Sequence, residues 1–83
     1  SRLSYYIKTK AMIALMDERI EELEHEVIIE SQHPLKDKIK RKEYPVYKSK
    51  RHRLGLLQKQ RERQMDRLTE MEKQIRIDMD STE

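Results

Sequence analysis

The sequence contains no cysteine. This absence excludes a disulfide framework, a thiolate nucleophile and a zinc site built on cysteine ligands. We expect an intracellular protein, cytoplasmic or nuclear, because nothing in the chain depends on an oxidising environment.

Glycine and proline are scarce: there is one glycine, Gly55, and there are two prolines, Pro34 and Pro45. Sheet-rich folds of this size need several tight turns, and tight turns need glycine, so strands and β-hairpins are disfavoured. Alanine, glutamate, lysine, leucine and arginine supply 40 of the 83 residues, a share typical of coiled coils and long helices. The sequence therefore predicts an all-α fold.

Long apolar runs are also missing. The longest, residues 11–16, is far shorter than the roughly 18 residues that span a bilayer, so we expect no membrane partner. A chain of this length makes one domain at most and cannot enclose a thick core. The sequence opens Ser1-Arg2-Leu3 without an initiator methionine, so residues 1–83 are expected to be one helical segment of a larger protein.

The first third of the chain carries a seven-residue apolar repeat. Its a positions are Tyr6, Ile13, Ile20 and Val27, and its d positions are Thr9, Met16, Leu23 and Glu30. This pattern predicts a first helix from about residue 4 to about residue 32. Pro34 should stop the helix, because proline disfavours helical geometry in the residue before it.

The last third has a second, weaker register. Its a positions are Leu54, Arg61, Leu68 and Ile75, and its d positions are Leu57, Gln64, Met71 and Asp78. It predicts a second helix from about residue 46 to about residue 79, with Ser49 as an alternative N-cap. Either Met65 replaces the polar pair Arg61 and Gln64 through a local shift of phase, or both polar residues lie in the seam. Gly55 is either a tolerated interior glycine or a site of close backbone contact.

Residues 33–45 form a basic connection, which is long for two packed helices. Leu35 and Ile39 lie one helical turn apart after Pro34, so a short third helix near residues 35–42 is predicted.

Charge predicts how the two helices pair. Residues 17–30 carry seven acids and one arginine, a net charge of −6, whereas residues 36–53 carry nine basic and two acidic residues, a net charge of +7. Folding the chain near Ile39 pairs residues whose numbers sum to about 78 and sets the acidic segment against a basic one. A parallel pair of first helices would set like charges together. We therefore predict an antiparallel two-helix coiled-coil hairpin.

The open end of this hairpin, where the two chain termini meet, has more apolar residues than one seam can bury. Five residues outside the a and d positions are candidates for binding a protein partner: Tyr5, Ile7, Met12, Leu15 and Met65. The simplest use is a homodimer that makes a helical bundle. The alternative is scattered exposure without function, since folded surfaces do expose single apolar residues.

The sequence offers no recognisable catalytic chemistry. His25-Glu26 begins a zinc-protease helix motif, but the second histidine would fall at position 29, which is Ile29. Two helices with one narrow seam also leave no room for a substrate pocket. We expect a non-catalytic protein with no metal, no cofactor and no small-molecule ligand.

Clustered cations mark the predicted hairpin tip, with Tyr44 and Tyr47 among them. This basic tip comprises Lys36, Lys38, Lys40, Arg41, Lys42, Lys48, Lys50, Arg51 and Arg53. It suggests an alternative function, the binding of a nucleic acid or an acidic protein surface. Against this, the acids of the first helix can neutralise Lys48 to Arg53, and the tyrosines can simply pack on Leu35 and Ile39.

Overall fold

A computed structural model of the chain describes residues 1–32 and 49–81. Helix α1 spans Arg2–Gln32 and helix α2 spans Lys50–Asp80. The two helices pack against each other as an all-α hairpin, which confirms the predicted fold class. The predicted short helix at residues 35–42 lies outside the described residues.

Both helices begin at a serine cap. The backbone N–H of Ser4 donates to the Ser1 hydroxyl at 3.3 Å, so α1 starts two residues before the predicted position. Ser49 has extended backbone angles, φ −68° and ψ 150°, and its hydroxyl accepts the N–H of His52 at 3.1 Å. A serine oxygen satisfies a backbone donor that the first helical turn leaves without a partner. Helix α2 therefore starts at the alternative cap, Ser49.

The seam between the helices follows the two predicted heptad registers. Every one of the sixteen a and d residues is buried or half-buried. The most deeply buried apolar side chains are Ile13, Leu23 and Leu68, with Leu23 only 3% exposed. Because burial of such side chains contributes roughly 1.5–3 kcal/mol each, this seam supplies most of the stability of the hairpin.

Contacts across the seam show the antiparallel pairing. The Tyr6 hydroxyl donates to the Glu72 carboxylate at 3.3 Å, and Nζ of Lys50 lies 3.7 Å from the Glu26 carboxylate. The residue numbers of these pairs sum to 78 and 76, in agreement with the predicted sum of about 78. Residues on the two helices whose numbers sum to about 78 are therefore level with each other along the hairpin.

Polar residues do lie in the seam, as one of the two sequence interpretations proposed. The half-buried Arg61 donates to the Asp17 carboxylate, and this bond raises the pKa of the guanidinium above its usual value. The buried Thr9 hydroxyl donates to the Tyr5 carbonyl at 2.8 Å. Gln64 and Met65 are both half-buried, so Met65 adds to the edge of the seam without displacing the polar residues.

Within the described ranges, neither helix is long and apolar enough to cross a lipid bilayer.

Candidate interaction surfaces

Four of the five predicted partner-binding residues are exposed on the hairpin. Tyr5 is 67% exposed, Leu15 66%, Ile7 60% and Met12 44%. Met65 differs because its position beside the seam leaves it half-buried. Folding of the hairpin alone therefore does not cover the apolar surface on α1 near the open end.

These residues divide between the two broad faces of the hairpin. Side chains two positions apart on an α-helix are about 200° apart, so Tyr5 and Ile7 point to opposite sides of α1. Met65 precedes Glu72 by seven residues, a spacing that returns to nearly the same side of a helix. Both residues hold the e position, which lies beside a on the same side of a helix as b, and the contact of Glu72 with Tyr6 at an a position agrees with this placement. Ile7 holds a b position, so Met65 lies on the side of Ile7. The structure thus brings Tyr5, Met12 and Leu15 together and places Ile7 and Met65 elsewhere.

We call the first broad surface the Leu15 face. It consists of the c and g positions of both helices, and its exposed apolar residues are Tyr5, Met12, Leu15, Ile29, Leu56 and Ile77. We call the opposite surface the Ile7 face. Its exposed apolar residues are Leu3, Ile7, Ile28 and Met79. The Leu15 face is therefore the more apolar of the two surfaces.

A shallow groove of about 400 Å³ indents the Leu15 face at the open end. It is lined by two residues of α1 and four of α2: Arg2, Tyr5, Arg67, Glu70, Met71 and Gln74. Its placement at the Tyr5 end of the face means that the exposed tyrosine ring stands beside a concave surface.

Sequence reasoning missed Ile29, Leu56 and Ile77 as members of this face. The signal was present, because Leu15 and Ile29 share the c position, as do Leu56 and Ile77 in the second register. The sequence alone did not join these residues into one surface, because they lie on two different helices and near both ends of the hairpin. Packing of the two helices brings their c and g positions to one side, as the groove between Tyr5 of α1 and Glu70 and Gln74 of α2 shows at the open end.

Three of the nine predicted basic-tip residues lie within the described part of the chain. Lys50 is already in contact with α1, through Glu26 and through the Glu30 carboxylate. Arg51 and Arg53 are exposed. The other six, Lys36, Lys38, Lys40, Arg41, Lys42 and Lys48, lie outside the described residues, as do Tyr44 and Tyr47. The prediction of a basic binding site therefore stays a prediction.

In residues 1–32 and 49–81, no group of three or more histidine, cysteine, aspartate or glutamate side chains is placed to hold a metal ion. His25 and His52 are exposed, and His33 lies outside the described residues.

Comparison of the chain with protein-family models, with curated proteins and with solved structures gives no significant match.

Proposed function

We propose that this chain is a non-catalytic protein-interaction module of an intracellular protein, in which a coiled-coil hairpin associates through its Leu15 face. The simplest product is a helical bundle formed by two copies of the hairpin. A helical segment of another protein could occupy the same face in place of the second copy.

The exposure of Tyr5, Met12 and Leu15 carries this proposal. Their side chains occupy one stripe of α1, and the seam has no room for them because Thr9, Ile13 and Met16 already fill it. A cluster of exposed apolar side chains beside a groove, with polar residues around it, is typical of protein–protein contact sites. Of the ten large apolar residues that are exposed in the described part of the chain, six lie on the Leu15 face, and three of these are clustered near the open end of α1.

Sedimentation equilibrium tests the self-association. The wild-type chain should sediment as a species of about twice its 10.2 kDa mass, with a concentration-dependent monomer fraction. Leu15→Lys should weaken the dimer at least tenfold, because it would place a charged ammonium group in the apolar contact. Ile28→Lys is the matched control: Ile28 is similarly exposed but lies on the Ile7 face, so this variant should dimerise like the wild type.

Circular dichroism must show that both variants keep their helical content. A wild-type chain that remains strictly monomeric while fully helical would overturn self-association. A dimer that responds equally to both substitutions would contradict the assignment of the Leu15 face.

Arg51 and Arg53 support a second candidate function, the binding of a nucleic acid by the basic tip. Both arginines are exposed at the start of α2, where a phosphate could reach them. Binding of RNA or duplex DNA should weaken steeply with added salt, and the double variant Arg51→Glu/Arg53→Glu should lower the affinity. No mobility shift with either nucleic acid at low salt would exclude this function.

A further inference from the structure

Charged residues surround the apolar stripe of the Leu15 face on both helices. Lys8 precedes Leu15 by seven residues and therefore lies on the same side of α1. Glu70 lies on the same face of α2, where it lines the groove beside Tyr5. The numbers of Lys8 and Glu70 sum to 78, so the two residues are level along the hairpin but belong to different helices.

We infer that two copies pack Leu15 face against Leu15 face around a twofold axis parallel to the long axis of the hairpin, so that both hairpin tips point the same way. This inference rests on the proposed self-association and adds its geometry. In this arrangement α1 of each copy lies over α2 of the other copy at the same level. Each α1 thus meets an antiparallel α2 twice, once within its own chain and once across the dimer.

Charge complementarity favours this orientation. It sets Lys8 opposite Glu70 of the partner subunit, and the twofold axis creates this contact twice. It also sets Glu26 opposite Arg53 of the partner subunit, because their numbers sum to 79. Both contacts join opposite charges, and opposite charges across an interface determine orientation and register. The same level rule sets Leu15 opposite Arg63 of the partner subunit and Leu56 opposite Glu22 of the partner subunit, where the alkyl parts of the charged side chains pack on the leucines.

The groove agrees with the same arrangement. Tyr5 of one copy would stand level with Gln74 of the partner subunit, which lines the groove of that copy. The tyrosine ring would then cover Met71, which lines the same groove. Aromatic side chains seated in such depressions contribute strongly to protein interfaces.

The other face-to-face arrangement has its twofold axis across the hairpin and points the two tips in opposite directions. If it is centred on Leu15, α2 packs on α2 and sets Arg63 against Arg63 of the partner subunit. Its favourable contact would be Lys8 with Glu22 of the partner subunit.

Packing two Ile7 faces in the tips-together orientation would set Asp17 against Glu62 of the partner subunit, two like charges. Like charges in direct opposition reject a pairing.

The area of the face is sufficient for a stable dimer. A helix of 31 residues is about 46 Å long, and two packed helices are roughly 18–20 Å wide. Complete coverage of this face would bury roughly 800–900 Å² per copy, which matches the area that each partner buries in a typical specific interface.

A charge-swap series tests the orientation by sedimentation equilibrium at low salt. Lys8→Glu alone and Glu70→Lys alone should each weaken the dimer roughly tenfold, because each replaces two attractive contacts with repulsive ones. The double variant Lys8→Glu/Glu70→Lys should return to within about threefold of the wild-type dissociation constant. The matched control Lys8→Glu/Glu22→Lys should remain weak. Rescue by Glu22→Lys instead of Glu70→Lys would overturn the inference and identify the tips-apart dimer.

A distance measurement gives an independent test. The chain has no cysteine, so Gln32→Cys introduces one site for a spin label at the exposed end of α1. Pulsed electron paramagnetic resonance should give a distance below about 30 Å for the tips-together dimer, against roughly 50 Å for the tips-apart dimer. A wild-type dimer with the long distance would overturn the orientation and leave the proposed function standing. A monomer would overturn both.

Discussion

Both carboxylate oxygens of Glu30, near the end of α1, accept the backbone N–H of Lys50, the first residue of α2, at 3.0 and 3.1 Å. The first N–H groups of a helix have no partner inside the helix, and the positive end of the helix dipole favours a negative charge there. Glu30 therefore caps α2 from the other helix, beside Ser49, which caps it from within. This contact joins the two ends of the connecting segment and helps to fix the register of the hairpin.

Glu30→Ala is expected to destabilise the hairpin by about 1–2 kcal/mol, because it removes a charge-assisted hydrogen bond to a helix N-terminus. The effect should appear as a lower midpoint in urea or thermal unfolding followed by circular dichroism. Glu24→Ala is the control, since Glu24 is an exposed acid on the same helix. Equal midpoints for the two variants would show that the Glu30 contact contributes nothing to stability.

Asp17 and Arg61 allow a test of the polar contact in the seam. Asp17→Ala should lower the unfolding midpoint slightly, because it removes the carboxylate that Arg61 contacts at the edge of the seam. The same change in an Arg61→Leu background should have little effect, because leucine restores the apolar repeat at this a position. A double-mutant cycle measures the coupling. Additive effects of the two substitutions would mean that the ion pair does not stabilise the hairpin.

Sequence periodicity was sufficient to predict the seam and its register. Each helix repeats its apolar residues every seven positions, and only one alignment of the two repeats sets acids against bases. Exposed charged contacts were less predictable, because long side chains on a helix surface can reach several neighbours. Of the acids Glu21, Glu22, Glu24 and Glu26, only Glu26 has an ion pair with α2 in the described part of the chain, whereas Glu22 pairs with Arg19 on its own helix.

The candidate surface was predicted in part. Exposure of Tyr5, Ile7, Met12 and Leu15 followed from their positions outside the seam, since a heptad leaves such residues on the surface. Their division between two faces depends on how α2 is placed beside α1, and the heptad pattern of α1 alone does not contain that placement. The basic tip could not be judged further, because most of its residues lie outside the described ranges.

Asp78 should stabilise the hairpin near neutral pH and lose this effect in acid. Arg2 and Gln74 donate hydrogen bonds to its carboxylate, and these bonds hold the pKa of Asp78 below its usual value of 3.8. A carboxyl with a lowered pKa in the folded state stabilises the fold at pH values above its unfolded pKa. This contribution is lost as the pH falls through the lower folded pKa.

Two measurements check this behaviour. An NMR titration of the Asp78 carboxyl should give a midpoint below 3.8. Asp78→Asn should unfold at a slightly lower temperature than the wild type at pH 7, and the difference should disappear in strong acid. Asp66→Asn, at an exposed position of α2, is the control and should leave the midpoint unchanged at both pH values. A titration midpoint at or above 3.8 would contradict the contact with Arg2.

Gly55→Ala should stabilise the hairpin. Gly55 lies inside α2, and a Cβ atom placed on it would have nothing within 4 Å in the folded chain. Alanine is more favourable than glycine in a helix interior by about 0.5–1 kcal/mol. The main reason is that an unfolded chain with alanine at this position has less conformational freedom to lose on folding than one with glycine. In a domain of this size, such a gain corresponds to a rise in the unfolding midpoint of roughly 2–8 °C.

The same substitution distinguishes the two sequence interpretations of Gly55. Its position in the repeat places it on the Ile7 face, away from the Leu15 face through which we propose that two copies associate. The gain in stability should therefore persist in the dimer, measured at matched concentrations, because dimer stability depends on protein concentration. Gln58→Ala, at a neighbouring exposed position, is the control and should change the midpoint little, since glutamine and alanine differ less in helix propensity. A loss of stability with Gly55→Ala would mean that another backbone approaches Gly55 closely, and would place an interface on the Ile7 face.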